Sequence, residues 1–144
     1  MLLRQLRDNL TAYEDGLHLI ALDMRSGPQH RHSMIDTLPM VSAQDHEDWL
    51  NRLRGLPEQL SQYQTLLSEG ISRDRTQAQI VMSRVPSQIA NLITDQASES
   101  PFYRAFVTMP EEIDPEIQMW LKSAALAIIE EQINPARFGN CSNF

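Results

Sequence analysis

Apolar residues recur in alternating steps of three and four along most of this chain, the spacing that keeps side chains on one face of an α-helix. Leu3, Leu6, Leu10, Tyr13, Leu17, Ile20 and Met24 are the first such set, and they predict a helix over residues 2–24. Gly16 weakens its middle by about 1 kcal/mol relative to Ala. Ser26-Gly27-Pro28 is the expected stop, because Gly suits a helix C-terminus and Pro cannot continue one. A long connection follows over residues 25–41, carrying Pro28 and Pro39. Ser42 with Asp45 three positions on is close to a capping box, and it opens a stripe of Trp49, Leu53, Leu56, Leu60, Tyr63 and Leu67. Pro57 lies inside that run and predicts a kink or a restart, and Gly70 an end.

Thr76 can cap a third helix bearing Ile80, Val81, Val85, Ile89, Leu92 and Ile93, with Pro86 as a break. Residues 94–110 read as a second long loop, with Phe102, Tyr103 and Phe106 clustered in it. The last helix has the clearest start: Asp114 as N-cap, Pro115 at the first helical position and Glu116 at the positive end of the dipole. Ile117, Trp120, Leu121, Ala124, Ile128 and Ile129 form its expected buried stripe, and Asn134-Pro135 its end. No segment alternates as a strand does. The fold class is therefore all-α: kinked antiparallel helices with two long loops. Regular three-four steps also suit a helix pair, within the chain or as a dimer seam. Leu60 and Leu121 would lie in such a seam.

Composition narrows the function. With 42% hydrophobic and 22% charged residues the chain is globular in character rather than disordered. Net charge is −7, and the basic residues, all Arg except Lys122, are scattered. Nucleic acid is an unexpected partner for such a chain. No stretch is apolar for about 18 residues, so no membrane span is expected. Arg4 and Arg7 interrupt the first apolar run, unlike a signal peptide, and a cytoplasmic location is expected for the chain as written. The single Cys141 permits no internal disulfide.

Candidate chemistry is thin. His30-Arg31-His32 near Asp36 could approach a cation, but the spacing matches no zinc motif and Arg31 opposes a positive ion. Glu14 and His18 stand one helical turn apart, as surface neighbours commonly do. Asp45, His46, Glu47 and Asp48 open one helix, and Glu111, Glu112, Asp114 and Glu116 flank the start of another. There acids offset the macrodipole. There is no Gly-x-Ser-x-Gly elbow, no phosphate-binding glycine loop and no His-Glu-x-x-His. No catalytic, cofactor-binding or metal residue is assigned.

Five strings in order carry a resemblance: His18-Leu19-Ile20-Ala21-Leu22-Asp23-Met24-Arg25-Ser26-Gly27-Pro28, Trp49-Leu50-Asn51-Arg52-Leu53-Arg54-Gly55-Leu56-Pro57, Leu67-Ser68-Glu69-Gly70-Ile71, Gln79-Ile80-Val81-Met82-Ser83-Arg84-Val85-Pro86 and Ser100-Pro101-Phe102-Tyr103. Together they resemble the domain of unknown function 885 family over about residues 10–135. The resemblance implies large, mainly helical bacterial proteins that look like zinc peptidases through a downstream His-Glu-x-x-Pro-Gly-His-His pattern. This chain has no counterpart to that pattern. Zinc is thus expected only in intact relatives, and the chain is expected to be an inactive helical fragment, part of a larger fold. Residues 1–138 form one helical segment or domain on this reading, and 139–144 an atypical tail expected to be disordered. Exposed apolar helix faces would favour a homo-oligomer. The alternative is a stand-alone helical interaction module, homodimeric through one of the stripes.

Overall fold

A computed structural model describes residues 1–135, and the expected tail at 139–144 and Cys141 lie outside them. Helices and short 3-10 segments carry the described residues, with no strand among them.

The first helix, α1, spans Leu2–Glu14. It is shorter than its apolar spacing predicts. Gly16 takes a left-handed conformation at φ 76°, and a 3-10 turn over Leu17–Leu19 follows. The glycine therefore ends the helix instead of weakening it, and Ser26-Gly27-Pro28 stops nothing. No residue of α1 is buried. Leu3, Leu6, Leu10 and Tyr13 are more than half exposed, so the predicted stripe faces solvent.

Within the first long connection, Pro28–Thr37 winds as a 3-10 helix. Ser42 then caps α2, Ala43–Ser72, in a complete capping box with Asp45. α2 runs through Pro57 as one helix, so of the expected kink or restart there is no restart. It also passes Gly70, which is buried. A Cβ there would lie 2.8 Å from the Arg75 carbonyl oxygen and 3.1 Å from that of Leu19, so the glycine permits a close backbone approach. Two residues beyond the end of the helix, Asp74 has a positive φ of 54°. Arg75 N–H bonds the Gly70 carbonyl at 2.8 Å and Asp74 N–H the Ile71 carbonyl at 3.2 Å, the pairing of a Schellman turn.

The third predicted helix is broken as Pro86 requires, into α3, Gln79–Met82, and α4, Val85–Ala90. Ala78, not Thr76, stands at the N-cap of α3 and bonds no N–H with its side chain. Two further 3-10 segments occupy the second loop, Ala97–Glu99 and Pro101–Phe106. The last helix, α5, spans Pro115–Ile128, with Asp114 accepting the Glu116 N–H at 2.8 Å. It continues as a π-helical turn over Ile129–Ile133.

The main core joins α2 and α5. Trp49, Leu50, Leu53, Leu56 and Leu60 of α2 meet Leu121, Ala125 and Ile128 of α5, with Ile129 just beyond it. Phe102, Ala105 and Phe106 close the end. The two stripes are thus joined inside the chain. Leu60 and Leu121 are 4% and 0% exposed, so neither lies in a dimer seam. Within the expected α5 stripe, Trp120 is 51% and Ile117 40% exposed, and Ala125 is buried beside Leu121. His46, among the acids of the first turn of α2, is fully buried against Phe106, with ring centroids 5.9 Å apart.

Candidate binding groove

A second, smaller cluster lies off the main core. Leu22, Val85 and Ile89 are buried there, with Leu67 and Met82 packed on them. Above it the structure opens into a groove of about 600 Å³. The C-terminal half of α2 forms one side through Tyr63, Leu67 and Ile71. Met82, Val85 and Ile89 of α3 and α4 form the other, and Leu19 and Ile20 close one end. Arg75 is the one charged residue in its lining. A site of this volume and apolar character suits an apolar side chain or a short peptide.

The groove wall depends on a tightly tied turn. The Asp23 carboxylate accepts the N–H groups of Arg25 at 2.6 Å and Ser26 at 2.7 Å, and the Ser26 hydroxyl at 2.9 Å. Chiefly the Arg25 N–H, then the two Ser26 bonds, hold the Asp23 pKa below its ordinary value. Gly27 sits at φ 140°, and a Cβ there would lie 2.4 Å from both Leu22 Cδ1 and Gln29 Oε1. Gln29 donates to the Asp23 carbonyl at 2.6 Å, and Gln88 of α4 donates to that of Met24 at 2.9 Å. The Gln88 bond ties the turn to α4 across a sequence gap that no local motif announces.

The histidine loop is occupied with its own backbone. His30 Nε2 lies 3.2 Å from the Met24 carbonyl oxygen, and His32 Nδ1 lies 3.0 Å from that of Gln29. His32 also meets the Phe102 ring edge-on, and Asp36 pairs with Arg104. Glu14 is exposed, while His18 stacks on Tyr13 at 4.2 Å. Among the described residues no three of His, Cys, Asp and Glu gather as metal ligands. A zinc ion, which needs three or four convergent donors, does not fit these side chains.

Apolar spacing missed the groove because it marks which residues share a face, not where two faces stop short of each other. Asp23 near Gly27 was the available local signal, since an Asx turn beside a glycine marks a constrained backbone.

No curated protein and no solved structure matches the chain. The family described as "Bacterial protein of unknown function (DUF885)" matches residues 1–138, and the chain belongs to that family.

Proposed function

We propose that this chain is a non-catalytic helical segment that forms an apolar wall of the substrate cleft in a zinc-peptidase-like protein. The observation that supports it best is the groove over Leu22, Val85 and Ile89. It is lined on both sides by aliphatic side chains and carries a single charge, as a subsite for an apolar peptide side chain would. The resemblance of the five ordered strings to a peptidase-like family supplies the reaction class. No step of peptide hydrolysis is assigned to residues of this chain, because no three histidines or acids gather among the described residues.

Binding is testable on the chain itself. Fluorophore-labelled tri-leucine, followed by anisotropy, is expected to saturate the protein. Ile71→Glu places a charge in the groove at a half-exposed position, so the fold is expected to survive it. That variant should bind at least about tenfold more weakly, the equivalent of 1.4 kcal/mol. Absence of saturable binding, or equal binding by the variant, overturns the groove assignment. One equivalent of zinc in the purified chain, or hydrolysis of the peptide, overturns the non-catalytic reading.

A second reading, a stand-alone homodimeric module, is favoured by one observation. The Leu3, Leu6, Leu10 and Tyr13 face of α1 is exposed, and the helix buries no residue against the rest of the chain. Arg7 and Glu14 flank that face, and neither has an ion-pair partner among the described residues. A seam of one 13-residue helix is small, so a weak, concentration-dependent dimer is expected. A strictly monomeric chain at high concentration excludes this reading.

A further inference from the structure

Along the first half of α2, before the stretch that lines the groove, the Pro28–Thr37 segment and α2 border a second pocket of about 270 Å³. Trp49, Leu53, Leu56 and Phe102 supply its buried apolar lining. Arg31 and Arg52 supply its charge, with no Asp or Glu in the lining. We propose that this pocket binds a small carboxylate with an apolar body, held by the guanidinium groups of Arg31 and Arg52. The proposal shares no residue with the groove and does not rest on that reading.

Three observations carry it. First, the Arg31 guanidinium is under-used. Its Nε is buried without a hydrogen-bond partner among the described residues, and the acceptor at its Nη1 is only the Met34 thioether, 4.0 Å away. An arginine offers five donors in a planar fork, and a buried donor left unpaired is costly. Its geometry matches the two oxygens of a carboxylate.

Second, no ion pair among the described residues neutralises either Arg31 or Arg52. Acids outnumber bases in the sequence by 19 to 12, so internal carboxylates are not scarce. Two cations facing one acid-free pocket set up a local positive field in an acidic chain.

Third, Gly55 stands at the pocket in the interior of α2, where only proline is a poorer helix former. Packing does not require a glycine there, since an added Cβ would meet nothing within 4 Å. Its missing side chain keeps the pocket accessible.

The binding frame is already ordered. His32 bonds the Gln29 carbonyl, Ser33 Oγ donates to that of His30 at 2.7 Å, and Asp36 pairs with Arg104. These contacts hold the segment that carries Arg31, so little order remains to be imposed on binding. The aromatic and aliphatic lining favours an apolar body behind the carboxylate over a compact, strongly hydrated anion. The volume fits a ligand of amino-acid size.

The test uses the full chain with Trp120→Phe, which leaves Trp49 as its fluorescent reporter at the pocket. The probe is 3-phenylpropionate, and its neutral amide is the control. Saturable binding is expected for the carboxylate and not for the amide, weakening as salt is raised. Arg31→Met and Arg52→Met should each weaken it at least about tenfold, and Arg31→Lys less, since it keeps the charge and loses the fork. Gly55→Leu should block binding while the thermal melt stays cooperative, which separates loss of the pocket from loss of the fold. No saturation in the millimolar range, equal binding of the amide, or full binding by Gly55→Leu overturns the proposal. Inorganic phosphate binding as tightly as the carboxylate overturns the assignment of ligand class.

Discussion

The indole N–H of Trp49 donates to the main-chain carbonyl of Phe102 at 3.1 Å, a buried bond between residues 53 positions apart. It pins the 3-10 segment Pro101–Phe106 to α2 and so closes the end of the core. Trp49→Phe keeps most of the ring volume and leaves that carbonyl without its donor. The expected loss is about 1–3 kcal/mol, the cost of an unpaired buried acceptor. Urea unfolding measures it; an unchanged midpoint would show that the bond contributes nothing net.

Leu60 and Leu121 lie in the same buried core. Aspartate at either position would be an unpaired buried carboxylate, and cooperative unfolding should disappear. Leu10→Asp, on the 57%-exposed α1 face, should leave the melt in place. Near-ultraviolet circular dichroism separates the two results. A folded Leu121→Asp protein would mean that α5 does not pack on α2 as described.

Three glycines should respond with opposite signs to alanine. At Gly27 a Cβ would approach Leu22 and Gln29 to 2.4 Å at φ 140°, and at Gly70 it would reach a backbone oxygen at 2.8 Å. Both substitutions should lower the melting temperature. Gly55→Ala meets nothing within 4 Å and should raise stability by about 0.5–1 kcal/mol, because alanine loses less chain entropy in a helix. Calorimetry of the three variants checks all the signs, and a destabilised Gly55→Ala contradicts the open space beside α2.

The capping box gives α2 a pH dependence. Chiefly the Ser42 hydroxyl bond, aided by the Ser42 and Val41 N–H groups, holds the Asp45 pKa below its ordinary 3.8. A depressed carboxylate pKa contributes stability that is fully present above the ordinary value. That contribution falls away as the pH drops through the lower, folded value. Ser42→Ala should cost about 1 kcal/mol at neutral pH through the lost cap and flatten the acid limb of the stability curve. An acid limb unchanged in slope would sever Asp45 from it.

Ser42 with Asp45, Asp114 with Pro115, and the break at Pro86 were legible along the chain, because each acts on backbone groups a few residues away. His46 was not. Its ring enters the core, where Nδ1 lies 2.8 Å from the Ser42 carbonyl oxygen and Nε2 has no partner among the described residues. Three acidic neighbours in sequence gave no hint of Phe106, which arrives from 60 positions downstream. The groove escaped for the same reason: Leu67 and Met82 come together through the turn after α2, not through any motif.

Local chemistry thus determined an all-α chain, its caps and the residues that share each helical face. Tertiary structure decided which faces are covered. Period and capping are properties of neighbouring residues, so the sequence expresses them directly. Burial depends on what another segment brings. The same three-four spacing is therefore core at Leu53, Leu56 and Leu60 of α2, and bare surface at Leu3, Leu6 and Leu10 of α1.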